Sequence, residues 1–252
     1  MLSKNKIKTI KSLSVKKFRD ELNLFVAEST KLVLDLAPAF HCVTLLATAG
    51  WLKSNPTIQA DETIEVTDEE LHKVSNQKSP QGVLAVFRKN TADIPAEELK
   101  NNLVLALDGI QDPGNLGTII RLADWFGIRH IFCSHQTADV YGNKTVQASM
   151  GALARVHVHY VNLSDFLKQQ AQEGIPVYGT FLDGTNIYQQ TLSANGIIVM
   201  GNEGNGISEE IGKLINKRLF IPNYPEGEPT SESLNVGIAT ALVCGEFRRR
   251  QQ

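Results

Sequence analysis

The chain has 252 residues, a length that allows one large domain or two smaller ones, and its composition is that of an ordinary globular protein. Its net charge of -2 is close to zero, so it would bind a nucleic acid only through a local basic patch. No apolar run approaches the roughly 20 residues that cross a bilayer, which argues against a membrane protein.

The N-terminal basic segment, residues 4–19, supplies such a patch. It has no acidic residue before Asp20, and its basic residues are Lys4, Lys6, Lys8, Lys11, Lys16, Lys17 and Arg19. An acid-poor start is also typical of mitochondrial presequences, but those favour Arg, and this segment is mostly Lys. We therefore interpret it as a surface that contacts a polyanion, with a solvated helix face as the alternative.

Cysteine usage and the start of the chain indicate the compartment. No long apolar core precedes a small-residue cleavage site, so we expect no signal peptide. Cys42, Cys133 and Cys244 are scattered and odd in number, which is typical of reduced, buried thiols and not of a disulfide framework or a metal site. The sequence therefore predicts a cytoplasmic protein.

A polar, proline-containing boundary at residues 89–98 divides the apolar pattern into two domains. Before it, strand-like runs at 24–27, 42–47 and 83–87 and a helical pattern at 29–36 predict a small α/β domain, residues 1–95. After it, through residues 100–252, helical patterns alternate with strand-like runs at 103–107, 130–133, 156–161, 177–180, 197–200 and 219–221. Strands that alternate with helices predict a parallel sheet covered on both faces, so the fold class is α/β.

The first motif, residues 115–121 (Asn-Leu-Gly-Thr-Ile-Ile-Arg), follows the first buried strand of this sheet, begins at the end of a turn at 112–115 and opens a helix predicted at about 115–126. Ligands of open α/β sheets bind at the carboxyl ends of strands, so Asn115 and Arg121 would flank a site there. Gly117 would leave one face of the helix open to a backbone or a ligand. By itself the pattern also fits a helix-capping Asn, a packing Gly and a solvated Arg.

The second motif, residues 199–206 (Val-Met-Gly-Asn-Glu-Gly-Asn-Gly), includes the end of the predicted strand 197–200. Its three glycines permit positive φ and expose backbone N–H groups that could hold a ligand. The spacing is neither that of the dinucleotide fingerprint nor that of the Walker loop, and Glu203 would repel a phosphate. A glycine turn with a solvated Glu is the alternative interpretation.

The third motif combines Leu-Phe-Ile-Pro at 219–222 with Ser-Leu-Asn at 233–235, which precedes an apolar helix predicted at 236–247. Ser233 or Asn235 could simply cap that helix, since both residue types are favoured N-caps. The basic triplet at 248–250 would complement the helix C-terminus. Elsewhere, His157 and His159 share one face of a strand, but no third ligand lies at a recognisable spacing, and we expect no metal.

In this order the three motifs resemble those of the SpoU (TrmH-like) family of RNA ribose 2'-O-methyltransferases. The matching residues are Asn115, Arg121, Gly201, Glu203, Ile221, Pro222, Ser233, Leu234 and Asn235. Residues 25–28 and 79–85 also resemble the L30e-like substrate-binding domain that many members carry. The loop at 223–232, with Pro225, Gly227 and Pro229, is longer than the usual link between Ile-Pro and Ser-Leu-Asn, which leaves the contacts of that loop open.

The resemblance implies a SPOUT-type methyltransferase domain with a trefoil knot, a bound S-adenosyl-L-methionine, and a homodimer with the active site near its interface. It implies methyl transfer from this cofactor to a ribose 2'-hydroxyl of RNA. The cofactor-binding residues that it implies, with their neighbours, are Thr180, Phe181, Gly201, Asn202, Gly206, Ile221, Pro222 and Leu234. The catalytic residues that it implies are Asn115, Arg121, Glu203, Ser233 and Asn235.

Elementary chemistry limits the roles of these residues. Arg stays protonated in proteins, so Arg121 is a poor general base, and we expect it to stabilise the developing alkoxide and to bind the adjacent phosphate. Glu203 is expected to hold Arg121, Asn115 to orient the ribose or Arg121, and Ser233 and Asn235 to shape the pocket. The predicted RNA-binding residues are Lys16, Lys17, Arg19 and Arg121.

Two other classes of protein are alternatives to an RNA methyltransferase. A Rossmann-type nucleotide enzyme would need a glycine fingerprint and a ribose-binding acid that the chain lacks. A catalytically inactive RNA-binding protein of the same fold is disfavoured because every polar motif residue is present. Ribosomal RNA is expected over transfer RNA, since the N-terminal domain resembles those of ribosomal members of the family.

Overall fold

The computed structural model describes residues 2–90, 96–225, 228, 231 and 233–251. Contacts between residues divide the chain into two compact units, Met1–Thr91 with Asp139–Arg155, and Ala92–Ala138 with Val156–Gln252. The first change of unit falls inside the predicted boundary at 89–98, of which residues 91–95 lie outside the described residues. None of the described helices combines the length and the apolar character needed to cross a bilayer.

Helices and strands alternate in both units. The helices are α1 Lys4–Ser12, α2 Lys16–Leu22, α3 Thr30–Leu36, α4 Ala49–Ser54, α5 Asp68–His72, α6 Ala96–Asn101, α7 Pro113–Trp125, α8 Asn143–Ser149, α9 Leu163–Gln172, α10 Glu209–Gly212 and α11 Val236–Arg249, with a short 3-10 helix at Ala152–Ala154. The strands are β1 Leu24–Glu28, β2 Cys42–Ala47, β3 Glu62–Glu65, β4 Val83–Arg88, β5 Leu103–Asp108, β6 His130–Cys133, β7 His157–Tyr160, β8 Val177–Asn186, β9 Gly196–Gly201 and β10 Lys217–Phe220.

The first unit contains a four-stranded sheet in the order β1-β4-β2-β3. β4 pairs antiparallel with β1 and β2, and β2 pairs parallel with β3. The predicted strands at 24–27, 42–47 and 83–87 and the helix at 29–36 are confirmed, because their apolar residues form the core of this unit. The sequence does not reveal β3, whose residues are Glu-Thr-Ile-Glu; this strand lies at the sheet edge and is mostly exposed.

The N-terminal basic segment forms α1 and α2, and one of its residues is not on the surface. The Arg19 side chain is buried, its Nε and Nη2 donate to Asp139 Oδ2 at 3.0 and 2.7 Å, and its Nη1 donates to the Leu13 carbonyl at 2.7 Å. The prediction that Arg19 binds RNA is therefore wrong, since its guanidinium is engaged inside the unit. Lys16 and Lys17 are exposed, and their role in RNA binding stays a prediction.

The stretch Asp139–Arg155 joins the first unit from a distant part of the sequence. Besides the carboxylate of Asp139, it contributes Tyr141, whose ring centroid lies 4.8 Å from that of Phe25 and whose hydroxyl donates to the Asn90 carbonyl at 3.0 Å. Gly151 has a φ of +86°, and a Cβ there would lie 2.4 Å from Asp35 Oδ2. Through these residues the stretch packs closely against the rest of the unit.

The second unit contains a six-stranded sheet in the order β10-β8-β9-β5-β6-β7, in which every neighbouring pair is parallel. β5 and β9 are continuous apolar runs and are buried almost throughout, as central strands of a sheet covered on both faces must be. The predicted parallel sheet is confirmed. The strand ends lie within two residues of the predicted ones, except in β8, and those of β6 coincide with them.

β8 is longer than predicted and its pairing is interrupted. Its partner strand β10 places Arg218 opposite Gly179 but the next residue, Leu219, opposite Thr185. Residues 180–184 therefore leave the ladder as a bulge. Gly184 permits the return to the ladder, because a Cβ at that position would lie 2.4 Å from the carbonyl carbon of Leu219.

The two histidines considered as metal ligands belong to a cluster at the edge of this sheet, in which His159 is buried and His157 is exposed. His157 and His159 share one side of β7, since both rings lie 5.3 Å from the ring of His130. His130 is hydrogen-bonded to His159 at 3.0 Å and to Glu98 at 2.6 Å, and burial together with the adjacent histidines lowers the pKa of His159 to about 4. Among the described residues, no group of three or more His, Cys, Asp or Glu is placed to hold a metal ion.

Breaking the Arg19–Asp139 pair should destabilise the protein strongly. Removal of one partner of a buried ion pair leaves the other charge uncompensated, which costs about 3–5 kcal/mol. We expect Arg19→Ala to lower the free energy of unfolding in denaturant by about that amount, as followed by circular dichroism. The control Lys17→Ala removes the exposed pair with Glu21 and should change the free energy by less than about 1 kcal/mol. An Arg19→Ala variant as stable as the wild type would contradict the structural role of the pair.

Candidate active site

A cavity of about 710 Å³ opens at the carboxyl ends of three adjacent strands, β8, β9 and β10. Ligands of parallel sheets bind at this edge, and the volume lies within the range of about 300–1,000 Å³ that is usual for small-molecule and cofactor pockets. The residues that line the cavity are Thr180, Phe181, Leu182, residues 200–207, residues 220–223, Ser231, Ser233, Leu234, Val236 and Ala239.

All the residues predicted to bind the cofactor lie on this wall. They are Thr180, Phe181, Gly201, Asn202, Gly206, Ile221, Pro222 and Leu234. Of the predicted catalytic residues, Glu203 and Ser233 also line the cavity, whereas Asn115, Arg121 and Asn235 are not among the described lining residues. The structure thus brings together segments from three separate parts of the sequence, and the role of each residue in binding stays a prediction.

The glycine loop after β9 is folded too tightly to accept side chains at every position. A Cβ on Gly201 would lie 2.2 Å from both the carbonyl carbon of Gly206 and the nitrogen of Ile207. Gly206 has a φ of +67°, and its N–H and carbonyl exchange hydrogen bonds with Asn202 at 2.9 and 2.8 Å. The two ends of the loop therefore contact each other through backbone atoms, and a glycine is needed at the point of contact.

Asn202 fixes this loop to the neighbouring strand. Its Nδ2 donates to the Gly109 carbonyl at 2.7 Å, immediately after β5, and its Oδ1 accepts from the N–H groups of Gly204 and Asn205 at 2.9 and 3.1 Å. One amide side chain thus stabilises the turn of the loop and also binds the loop to the end of β5. This explains why an Asn, which can donate and accept at once, stands at the mouth of the cavity.

Asn115 connects the three sequence motifs in space. Its Nδ2 donates to Glu203 Oε1 at 2.9 Å, and its Oδ1 accepts from Asn235 Nδ2 at 3.1 Å. The side chain of Asn235 also caps α11, since its Oδ1 accepts from the N–H groups of Gly237 and Ile238 at 2.9 and 3.3 Å. Asn235 therefore caps the helix, and this role is compatible with a second role in the active site.

The helix-capping interpretation of Asn115 is wrong, because Asp112 caps α7. Asp112 Oδ1 accepts from the Asn115 N–H at 2.8 Å, and Pro113 occupies the first turn of the helix. This arrangement leaves the amide of Asn115 available for Glu203 and Asn235. The Asp-Pro pair is a recognisable helix start, so the sequence does contain the signal that places the cap three residues earlier.

Arg121 differs from its predicted surroundings. It is exposed on α7, and its guanidinium has no hydrogen-bonding or ion-pairing partner among the described residues. The expectation that Glu203 holds Arg121 is not met, since Glu203 accepts from Asn115 instead. Arg121 is therefore an exposed cation whose charge no described residue neutralises.

The C-terminal arginines have local partners. Arg249 and Arg250 both pair with Glu246, and the hydrogen bond from Arg249, followed by that from Arg250, lowers the pKa of this carboxylate to about 2. Arg248 donates to the Phe126 carbonyl at 2.7 Å. The triplet thus makes its contacts at the C-terminal end of α11, where the sequence interpretation placed its role.

The charge of the cavity wall discriminates between ligand classes. Glu203 is the single charged residue among the described lining residues, and the rest of the wall is apolar side chains, small polar side chains and loop backbone. Such a wall opposes a phosphate and suits a ligand with a neutral nucleoside and a positive centre. S-adenosylmethionine, with an adenosine and a sulfonium cation, fits these properties, whereas a dinucleotide with its pyrophosphate does not.

Fold and site together define an α/β methyltransferase, with three motif segments at one edge of a parallel sheet. Residues 102–245 match the model of the SpoU rRNA Methylase family, and residues 4–85 match that of the MRM3-like substrate binding domain. The chain therefore belongs to the SpoU rRNA methylase family. The predicted fold class is confirmed, and the trefoil knot stays an implication of the family resemblance.

Individual relatives agree with this assignment. The 23S rRNA (guanosine(2553)-2'-O)-methyltransferase RlmP of Bacillus subtilis is 30% identical over 250 residues, which cover 96% of each chain. A TrmH-family structure from Porphyromonas gingivalis is 44% identical, with a TM-score of 0.91 and 99% of each chain covered. The AdoMet-bound rRNA methyltransferase of Sinorhizobium meliloti is 29% identical, with a TM-score of 0.87, and the match covers 100% of this chain and 97% of that one.

Several residues of the site have no signal in the motifs. Ser208 N–H donates to Asp108 Oδ2 at 2.8 Å, so that Asp108 ties the end of the glycine loop to the end of β5. Leu182 lines the cavity from the bulge of β8, which the short strand predicted there did not include. The contacts expected to be unusual in the long loop at 223–232 remain open, because residues 226, 227, 229, 230 and 232 lie outside the described residues.

Replacement of Gly201 should disrupt the loop that lines the cavity. We expect Gly201→Ala to abolish S-adenosylmethionine binding in calorimetry and to lower the free energy of unfolding by more than about 1 kcal/mol, because the new Cβ would overlap backbone atoms. The matched control is Gly204→Ala in the same loop, where the nearest atom to a Cβ is Asn202 Oδ1 at 3.6 Å. Equal behaviour of the two variants would contradict the close backbone contact.

Proposed function

We propose that this protein transfers the methyl group of S-adenosylmethionine to a ribose 2'-hydroxyl of RNA. The observation that carries the proposal is the hydrogen-bonded set Glu203–Asn115–Asn235, which joins the three family motifs beside a cavity whose single described charge is negative. Family membership and the AdoMet-bound rRNA methyltransferase of Sinorhizobium meliloti support the same cofactor.

The residues present divide into a group for the cofactor and a group for the RNA. The glycine loop, Ile221, Pro222 and Leu234 would surround the cofactor, which supplies an electrophilic methyl group on a sulfonium centre. Transfer requires the attacking oxygen to lie in line with the methyl group, so the contribution of the protein is mainly position and electrostatics. Asn115, held from both ends, is rigid enough to orient a ribose hydroxyl.

Arg121 is assigned to the RNA side of the reaction. A cation beside the ribose stabilises the negative charge that develops on its oxygen, and the planar guanidinium can bind the adjacent phosphate through two hydrogen bonds. The absence of an internal partner among the described residues supports this role. Because Arg keeps its proton, the proton of the hydroxyl would leave to the adjacent phosphate or to water.

Ribosomal RNA is the proposed substrate class. The relatives named as 23S rRNA 2'-O-methyltransferases, from Bacillus subtilis and Neisseria meningitidis, support it, as does the match of residues 4–85 to a substrate-binding domain of the MRM3-like type. We also propose a cytoplasmic location, which the three buried, unpaired cysteines support.

A methylation map tests the function directly. Total RNA from cells with and without the protein would be mapped for 2'-O-methyl sites, and the site that disappears would then be restored in vitro with purified protein and S-adenosylmethionine. A site in ribosomal RNA supports the full proposal, and a site in transfer RNA corrects the substrate class. No cofactor binding by the purified chain would refute the proposed activity.

Arg121→Ala should reduce the rate of methyl transfer by about 10²–10³-fold, because one preorganised electrostatic group is lost from the transition state. The affinity for S-adenosylmethionine, measured by calorimetry, should stay close to that of the wild type, since Arg121 is not among the described residues of the cavity wall. Arg121→Lys should restore little, because Lys lacks the planar fork. Arg129→Ala, which removes another exposed arginine, is the control; wild-type turnover in Arg121→Ala would contradict the assignment.

The exposed face of α1 should bind the RNA backbone. Lys4, Lys8 and Lys11 are spaced to lie on one helix face and, among the described residues, have no ion-pair partner, whereas Lys6 pairs with Glu62. Replacing the three with Ala should weaken RNA binding and flatten its salt dependence by roughly 0.7–0.9 log units per lost phosphate contact.

The maximal rate at saturating RNA should not change in this triple variant, because the lysines would bind RNA without taking part in the chemistry. The control replaces Lys168, Lys213 and Lys217, which are exposed and carry the same total charge. If both triple variants lose the same affinity for RNA, then the net charge of the protein, and not the exposed face of α1, determines that affinity. A separate Lys16→Ala, Lys17→Ala variant tests the original prediction for α2.

We also propose a homodimer built on α7 and α11. These helices contact each other, with Thr118 Cγ2 3.1 Å from where a Cβ of Gly237 would lie. They expose large apolar side chains, Trp125 at 85%, Ile238 at 56% and Leu242 at 41%. Large exposed apolar patches are rare on monomers and mark interaction surfaces.

The double variant Ile238→Lys, Leu242→Lys should therefore be monomeric by light scattering coupled to gel filtration, while the wild type is dimeric. Its folding should be intact, because both side chains face solvent in the single chain. Val15→Lys, at an apolar residue that is 51% exposed in the other unit, is the control and should not change the mass. A dimeric double variant would exclude this surface.

A further inference from the structure

The bulge of β8 forms one side of the cavity but has few backbone hydrogen bonds to hold it. Its residues 180–184 leave the ladder between the positions that pair with Arg218 and Leu219. Thr180, Phe181 and Leu182 line the cavity, and Leu182 is 82% exposed. A segment that has left the ladder needs side-chain contacts if it is to present a defined wall to a ligand.

Arg218 on β10 supplies contacts at two points of this bulge. Its guanidinium carbon lies 3.4 Å from the centroid of the Phe181 ring, over the ring face. Its Nη2 donates to Asp183 Oδ1 at 2.5 Å, a contact that lowers the pKa of Asp183. One side chain thus holds the second and the fourth residue of the bulge at the same time.

The other surroundings of Phe181 are tight. The Phe181 ring packs against the core of the second unit, and a Cβ on Gly179 would come within 3.1 Å of its Cε2. The ring therefore contacts both the core and the guanidinium of Arg218. A guanidinium over an aromatic ring is attracted electrostatically by the face of the ring, and this cation–π interaction is separate from the exposed ion pair with Asp183.

We infer that Arg218 is a positioning residue for the cofactor, because it holds Phe181 and Asp183 and so fixes the bulge of β8 as a wall of the cavity. This inference rests on the proposed function, since it concerns the same S-adenosylmethionine site. Arg218 is not among the described residues of the cavity wall, so it acts through Phe181.

The test measures S-adenosylmethionine binding to the full chain by calorimetry and methyl transfer by steady-state kinetics. Arg218→Ala should weaken binding and raise the KM for S-adenosylmethionine by about three- to tenfold, the range expected from the loss of one cation–π contact. The kcat at saturating cofactor should be unchanged, and the midpoint of unfolding in denaturant should stay near that of the wild type. Lys217→Ala, on the same strand, is the matched control and should bind as the wild type does.

Two further variants separate the ring contact from the charge. Arg218→Lys keeps a cation but loses the flat group that lies on the ring, so it should recover little of the affinity. Phe181→Leu should weaken binding to a similar extent, and it keeps the inference testable if Arg218→Ala does not fold. Full recovery of affinity in Arg218→Lys would overturn the role of the ring contact.

The outcomes distinguish this inference from the proposed function. Failure of the wild-type chain to bind S-adenosylmethionine would refute the proposed function. Binding by the wild type with equal affinity in Arg218→Ala would refute the inference alone. A rise in KM together with a large loss of kcat would also refute it, because Arg218 would then affect the chemistry and not only the cofactor.

Discussion

The side chain of Asn115 is the contact on which the candidate site depends. It donates to Glu203 and accepts from Asn235, residues that are 88 and 120 positions away along the chain. An Asp in its place could not donate and would set a second carboxylate against Glu203, and a Leu could neither donate nor accept. One amide group, through its donor and its acceptor, therefore links the glycine loop, α7 and α11.

Two side chains of opposite charge belong to the elements that this contact joins. Glu203 gives the cavity wall a negative charge, whereas Arg121 on α7 is a cation without a partner in the described part of the chain. A positive cofactor and a negative RNA backbone would thus each face the opposite charge. Because Glu203 is bound by Asn115 and not by Arg121, the two charges do not neutralise each other directly.

The sequence predicted those parts of the fold that are encoded by local pattern. β5 and β9 were recognisable because central strands of a parallel sheet are continuous apolar runs. β3 was not, since an exposed edge strand can be polar. The prediction for Arg19 failed for a different reason: its partner Asp139 is 120 residues away, and no periodicity in the sequence reports such a pair.

In the candidate site, too, local sequence pattern identified residues but not the contacts between distant parts of the chain. Family motifs identified many of the residues that line the cavity, but not which motif residues contact each other, so the partner of Glu203 was predicted wrongly. Arg218 has no motif signal at all, because its effect depends on the register shift between β8 and β10. Contacts that arise from register and packing become visible only when the strands are placed side by side.

The discontinuous composition of the first unit limits how the chain can be rearranged. The unit includes Asp139–Arg155, which supplies Asp139 and Tyr141 to its interior. A chimera that takes residues 1–95 from one family member and the remainder from another would combine an Arg19 with a foreign partner segment. Exchange of substrate-binding domains between relatives would therefore have to move two separate pieces of sequence together, and a gene fusion with one crossover would not transfer the folded unit.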